Sequence, residues 1–281
     1  MAPVLLAAAS AFLFGAMTVA LRIALQRGGD AETGAFLTVC VAIAVVLPFA
    51  LLAGGDVGAV WPFLLAGILA PGGSQVLFTL GVRDAGPSRT SVVVGTAPAF
   101  AVAIALVFLD EPVEAGLVLG ALLIVCGAIA LVGERRRPEH FRTIGLVFAL
   151  GATLLFASRD NLVRWLSGDT PVEPSLAACA TLAAGGACIL VFLLATGRRP
   201  QWAGVPLFAP AGILFGLSYV TLFAAFYRGR VSIVSPLVAM ESLWGVVLSA
   251  LVLGRAERIG GRLVLGATLI VAGGALIGVV R

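Results

Sequence analysis

Residues 111–127 read EPVEAGLVLGALLIVCG, and residues 257–273 read ERIGGRLVLGATLIVAG. The two stretches start 146 residues apart, and ten of their 17 positions are identical. The identities include paired Glu and Gly residues, which an apolar composition alone does not readily produce. A second pair agrees with this, because AGIL at 66–69 recurs at 211–214. The chain is therefore predicted to be an internal duplication.

The composition places this duplication in a membrane. Of the 281 residues, 60% are hydrophobic and 11% are charged, whereas soluble domains are roughly 45–50% apolar and about 25% charged. The 18 Arg and 14 acidic side chains are too few to cover a soluble protein of this size. A soluble enzyme and a nucleic-acid-binding domain are both excluded as interpretations, so no nucleic-acid partner is expected.

Ten apolar segments are each close to the roughly 20 residues that a helix needs to cross a bilayer. The first is predicted to remain as a span, because no basic residue precedes it as in a signal peptide. We predict an all-α integral membrane protein with ten transmembrane helices at 3–25, 33–53, 61–82, 90–109, 115–132, 143–165, 175–195, 205–227, 232–253 and 262–280.

The longest polar join, residues 134–142, divides the chain into two repeats of five spans, at 1–133 and 143–281. Because five is odd, the second repeat crosses the membrane in the opposite direction. This predicts inverted repeats around a central cavity, an arrangement typical of secondary transporters that bind solute near the midplane.

Three features carry a family resemblance: Leu13-Phe14-Gly15-Ala16 in span 1, Pro98 thirteen residues before Glu111, and the repeated Glu-then-Gly helix. With them the chain resembles the drug/metabolite transporter superfamily, in its ten-span EamA branch, over essentially its whole length. The YddG-type amino-acid exporters are the nearest subgroup. The resemblance implies a cofactor-free carrier that exports amino acids and related small metabolites across the bacterial inner membrane. Trp244 departs from the pattern at the position matching Pro98.

Helix breaks at membrane depth indicate cavities, because freed backbone groups there need protein or water as partners. Pro98, for example, forfeits the bond to the carbonyl of Val94. The alternative is that each Gly or Pro is an ordinary constituent of a membrane helix. The predicted hinges and breaks are Pro71, Gly72, Gly73, Pro98, Gly216 and Pro236.

Glu241 is the sharpest polar feature, because an ionised carboxylate facing lipid at mid-span costs at least roughly 2.5–3.5 kcal/mol. It is predicted to bind a solute ammonium group or a proton; the alternative is a carboxyl that is neutral or hydrogen-bonded to a neighbouring helix. Trp244, three residues later, is expected on the same side. The other predicted cavity residues are Tyr219, Ser218, Ser74, Gln75 and Thr79.

Arg159 and Asp160 near the end of span 6 have two interpretations: an ion pair that snorkels to the headgroups, or a carboxylate-binding site. Glu111 and Glu257 begin spans 5 and 10, where acidic side chains stabilise helix starts, so they are predicted to be caps. The four Cys lie in apolar runs, and no metal site is predicted.

The Arg distribution and the family resemblance disagree about topology. Twelve Arg stand in joins after odd-numbered spans and four on the opposite side. Because Arg excess marks the cytoplasmic side of short loops, this tally predicts termini outside the cell. The resemblance implies termini in the cytoplasm.

The sequence leaves alternatives to export of metabolites. A multidrug or lipophilic-cation efflux carrier suits Glu241 and Trp244 equally well, through charge and cation–π attraction. A membrane-embedded enzyme or a channel is more distant, because the sequence shows neither a nucleophile with its base nor a selectivity-filter segment. There is no phosphate-cradling loop, so ATP is not expected. The expected partners are a small solute and membrane lipid, with a monomer as the working unit.

Overall fold

The computed structural model describes residues 2–100, 115–132, 134, 141–168, 170–229, 234, 237–254 and 260–280. Within these ranges all regular secondary structure is helical. A π-helical turn, Ile68–Gly73, joins the helix Trp61–Gly67 to the helix Ser74–Ala85. The helices are α1 (Ala2–Gln26), α2 (Ala31–Ala53), α3 (Trp61–Gly67), α4 (Ser74–Ala85), α5 (Pro87–Val94), α6 (Ala115–Val132), α7 (Ile144–Leu166), α8 (Pro174–Ala195), α9 (Val205–Arg228), α10 (Glu241–Val252) and α11 (Gly261–Val280).

Six helical stretches of the described chain are long and apolar enough to cross a membrane, and three shorter apolar helices accompany them. Their outward faces carry large apolar side chains, such as Leu52 and Leu251, which are 87% and 76% exposed. Such a surface is suited to lipid rather than water. The six long stretches are Ala2–Gln26, Ala31–Ala53, Val57–Ala85, Ile144–Leu166, Pro174–Ala195 and Trp202–Arg228.

The start of α2 shows how polar residues fix the helix ends. The Asp30 carboxylate accepts a hydrogen bond from the Thr33 backbone N–H at 2.9 Å and so caps the helix. Arg198, just after α8, forms ion pairs with Asp30 at 3.1 Å and with Glu32 at 3.0 Å. Partial burial raises the pKa of Asp30, but the Thr33 hydrogen bonds and the Arg198 charge bring that pKa below its ordinary value.

Two of the helical segments are interrupted, the spanning stretch Val57–Ala85 and the segment that begins with α5. In the π-helical turn, Ala70 has extended backbone angles (φ −146°, ψ 122°), and the following Pro71 has no N–H to donate. After α5, a turn at residues 95–96 precedes Pro98.

The predicted break at Gly216 is absent, because α9 is helical throughout. Gly216 instead allows close approach of α2, since a Cβ there would lie 2.9 Å from the Ala42 carbonyl oxygen. Pro236, Glu111 and Glu257 lie outside the described residues.

Glycines bring α6 and α11 into backbone contact. A Cβ at Gly120 would lie 2.8 Å from the carbonyl oxygen of Gly273, and one at Gly127 would lie 2.7 Å from that of Gly266. Residue numbers rise along one helix as they fall along the other, so the two helices run antiparallel. Gly120 and Gly266 are equivalent positions of the sequence repeat, as are Gly127 and Gly273, so each contact is the counterpart of the other.

A second pair of close glycine contacts also joins helices from the first and second halves of the sequence. A Cβ at Gly67 of α3 would meet the Thr181 carbonyl oxygen of α8, and one at Gly212 of α9 would lie 2.8 Å from the Thr38 carbonyl oxygen of α2. Thus α3 packs on α8, and α9 packs on α2. The buried core between them contains the aromatic rings of Phe14, Phe78, Phe156 and Phe215.

Candidate functional site: a charged central cavity

A cavity of about 70 Å³ lies between helices α1, α7, α9 and α10 and the residues that follow α5. A single water needs only roughly 10–15 Å³ measured in the same way, so there is space for several waters or a small solute. The lining residues are Ser10 and Phe14 of α1; Val94, Ala97 and Pro98 in and after α5; Phe156, Ala157, Arg159, Asp160, Asn161 and Arg164 of α7; Ser218, Tyr219, Leu222 and Phe226 of α9; and Val238, Ala239 and Glu241 in and before α10.

The cavity extends from the middle of the helix bundle to one of its faces. Its inner end is formed by Phe14 and Phe156, whose rings meet edge to face with centroids 5.8 Å apart. Its outer end is formed by Arg164 and Phe226, each two residues before the end of its helix. Arg164 Nη1 donates to the Phe226 carbonyl oxygen at 3.3 Å. The cavity therefore approaches the face where α7 and α9 end.

Arg159 is the buried cation of the cavity, with only 3% of its surface exposed. Its Nε lies 2.7 Å from Asp160 Oδ1. Its guanidinium lies over the Tyr219 ring, 4.9 Å from the centroid, and 5.9 Å from that of Phe156. Nη1 has no hydrogen-bond partner among the described residues. A buried charge is costly unless its polar atoms have partners. Binding of an anionic group at Nη1 would supply the missing partner.

Glu241, on α10, is the second buried charge of the cavity lining. It is the first residue of α10, where the helix dipole favours a negative side chain. The residue is 7% exposed, and no described residue donates a hydrogen bond to its carboxylate. With Arg159, Arg164 and Asp160, it gives the cavity two cationic and two anionic side chains.

The structure brings six of the predicted residues together and leaves four of the predicted cavity residues elsewhere. Trp244 is outside the cavity lining, and its ring packs edge to face on Phe12 of α1 at 5.1 Å. Positions three apart on a helix differ by only about 60° around its axis, but at Trp244 that direction is filled by Phe12 and Gly15 of α1. Ser74, Gln75 and Thr79 are fully buried in α4, which packs on α2 and α7. The six in the lining are Glu241, Tyr219, Ser218, Arg159, Asp160 and Pro98.

Sequence reasoning missed Ser10, Asn161 and Arg164. Ser10 Oγ lies 3.0 Å from Ser218 Oγ, which joins α1 to α9 across the cavity wall. A single Ser in an apolar helix gives no sequence signal. Arg164 was counted only as a loop charge, because its position near a span end does not reveal that the side chain turns inward.

Comparison with known proteins gives the family. The model of the EamA-like transporter family matches residues 1–133 and 143–279. The chain belongs to the EamA-like transporter family. This EamA-like transporter also shares its fold with a solved crystal structure that is 19% identical, with a TM-score of 0.71 over 98% of this chain and 95% of that one. No curated protein sequence matches it.

Membership in this family makes the chain a multi-pass membrane protein of the drug/metabolite transporter superfamily, with a small-molecule substrate and membrane lipid as its surroundings. The family consists of transporters rather than enzymes. Within the EamA-like transporter, the cavity lining holds the Arg159 guanidinium, whose Nη1 has no hydrogen-bond partner among the described residues, and the Glu241 carboxylate. That pair of groups suits a solute that carries both charges.

Proposed function

We propose that this EamA-like transporter is a secondary carrier that exports amino acids and related small metabolites from the bacterial cytoplasm by alternating access, like the YddG-type exporters that its sequence resembles. The observation that carries the proposal is the pairing of Arg159 and Glu241 in one buried cavity. Neither group is fully satisfied by the described protein, so each has capacity for a ligand.

In the proposed complex, Arg159 Nη1 binds the solute carboxylate and Glu241 binds the ammonium group. The Tyr219 ring stabilises the guanidinium by a cation–π contact, with the Arg159 Cζ 4.9 Å from the ring centroid. Ser218 contributes a hydroxyl beside them. The apolar rings at the inner end leave room for an uncharged or aromatic part of the solute. Each charged end of the solute thus loses its water and gains a protein side chain of opposite charge.

The proposed architecture is ten spans in two inverted repeats, residues 1–133 and 143–281, with 134–142 as the linker. The counterpart contacts Gly120–Gly273 and Gly127–Gly266 support it, because an antiparallel pair of equivalent helices requires a two-fold axis perpendicular to them. Such an axis lies in the membrane plane when the helices span it. One chain contains both halves of the cavity, so we propose a functional monomer.

We propose the bacterial inner membrane as the location, with the cavity side in the cytoplasm, where an exporter loads. This places the termini inside, against the Arg tally. Two of the Arg on the other side are ion-paired in the structure: Arg83 with Asp84 at 2.8 Å, and Arg198 with Asp30 and Glu32.

The test is counterflow in liposomes, with and without a pH gradient, using radiolabelled amino acids. For an accepted aromatic amino acid such as phenylalanine, its amine (phenethylamine) and acid (phenylpropionate) serve as competitors that each lack one charge. If Arg159 and Glu241 bind the two ends, both analogues compete at least about tenfold more weakly, since one charged hydrogen bond contributes about 1.5–3 kcal/mol. Absence of saturable flux for every amino acid would refute the proposal.

Efflux of lipophilic cations is the second candidate, favoured by the aromatic rings of Phe14, Phe156, Tyr219 and Phe226 in the lining. The same cavity holds Arg159, which repels a cation. Phenethylamine distinguishes the two functions. If it competes better than phenylalanine, the site is selective for cations.

A further inference from the structure

The two repeats place equivalent helix positions in unequal surroundings. Arg22 Nη1 of α1 donates to the Arg83 carbonyl oxygen at 3.0 Å, as Arg164 of α7 donates to that of Phe226. The first helices of the repeats therefore correspond at 142 residues apart. The third spans correspond at 145 at their AGIL starts and at 143 at their ends, beyond the π-helical turn Ile68–Gly73. Applied to the cavity lining, these offsets identify its counterpart in the first repeat.

The counterpart lies between α1 and α4. Ser218, Tyr219 and Leu222 of the open cavity correspond to Gln75, Val76 and Thr79. Arg159 and Asp160 correspond to Met17 and Thr18. The members of this second set are closed off: Met17, Thr18, Gln75 and Thr79 are each 0% exposed, and Val76 is 8% exposed.

Gln75 supplies an independent sign that this region receives a ligand. Both its Nε2 and its Oε1 are buried without a hydrogen-bond partner in the described structure. An unpaired buried amide costs free energy, and such groups are rare in native interiors. The cost is recovered if another state of the protein offers Gln75 water or the polar groups of a solute.

We propose that the region between α1 and α4 is the second half of the transport pathway, closed in this structure, and that Gln75 is its solute-binding group. This inference rests on the proposed function, because a second half is needed only if solute crosses. The open half carries Arg159 and Asp160, whereas the equivalent positions of the closed half hold the uncharged Met17 and Thr18. As it crosses, the solute therefore leaves the charged side chains of the open half and binds the uncharged amide of Gln75, which offers one donor group and one acceptor.

The closed half has its own seal at the opposite face. Arg22 binds the Arg83 carbonyl, and the Arg142 N–H donates to the Asp84 carbonyl oxygen at 2.7 Å. Gly145 at the start of α7 packs so closely on Ala85 that a Cβ would lie 2.6 Å from its backbone N. These contacts join α1 and α7 to the end of α4 and must separate for the second half to open.

The test uses two matched cysteine reporters in a chain whose four native Cys are replaced by Ala. Leu222→Cys reports on the open half, and Thr79→Cys reports on its counterpart in the closed half. The probe is a membrane-impermeant cationic methanethiosulfonate, applied separately to each membrane face. A chain retaining only Cys126, which is exposed on the apolar helix α6, is the control for reagent entering lipid.

We expect Leu222→Cys to be labelled from the face where α7 ends, and Thr79→Cys only from the opposite face. We also expect Gln75→Leu to lower counterflow at least tenfold while Leu222→Cys labelling is unchanged. If Thr79→Cys folds poorly, Thr18→Cys replaces it.

The inference is overturned if neither Thr79→Cys nor Thr18→Cys is labelled from the opposite face, or if Gln75→Leu keeps full flux. In either case, saturable flux in the unsubstituted chain would leave the proposed function standing. Loss of the proposed function is recognised separately, by absence of counterflow in the unsubstituted chain.

Discussion

Glu241→Gln removes the anion of the cavity while keeping the size of the side chain. Glu241 is 7% exposed and receives no hydrogen bond from the described protein, so its interaction with a solute ammonium group has no competing protein donor. A hydrogen bond to a charged group contributes about 1.5–3 kcal/mol, and each 1.36 kcal/mol is tenfold in affinity. We therefore expect the half-saturating amino-acid concentration to rise about 10- to 150-fold.

Counterflow in liposomes measures this change, and Glu173→Gln is the matched control. Glu173 carries the same carboxylate but is exposed at the start of α8, without a side-chain capping bond. It should leave transport unchanged. If Glu241→Gln has the same half-saturating concentration as the unsubstituted chain across a wide pH range, Glu241 does not bind solute and the charge argument is wrong.

Three further changes follow from the same structure. Arg159→Met should reduce amino-acid counterflow at least tenfold, and should affect an amine that lacks a carboxylate much less. Gly127→Ala should destabilise the protein by about 1–3 kcal/mol, because its Cβ would meet the Gly266 carbonyl, and its melting temperature in detergent should fall. Gly261→Ala is the control, since its Cβ would meet no atom within 4 Å and its melting temperature should not change. Asp30→Ala should destabilise the protein at pH 7, and the difference should shrink as pH falls past 3.8 and the native carboxyl, whose pKa is lowered, becomes protonated.

The helices were the most predictable part of the fold. The predicted segments 33–53, 143–165 and 205–227 each lie within two residues of the observed bounds of α2, α7 and α9. This agreement has a physical reason: a lipid-crossing helix needs about 20 apolar residues, and polar caps such as Asp30 stop it. The absent break at Gly216 shows the limit, because a glycine that loosens a helix and a glycine that admits a neighbour look alike in sequence.

The residue types of the site were easier to identify than their directions. Glu241 and Tyr219 attract attention because polar groups are costly inside an apolar segment. Whether a side chain faces the cavity depends on helix rotation and on neighbours from distant parts of the chain. Trp244 and Gln75 are as conspicuous in the sequence, yet one packs on α1 and the other is sealed within α4.

A structure of the protein with a transported amino acid, chosen from the counterflow panel, tests the central claim most directly. The account predicts solute density in the cavity, with its carboxylate within hydrogen-bond distance of Arg159 and its ammonium group at Glu241. Solute bound outside this cavity, or in it with neither side chain in contact, would contradict it.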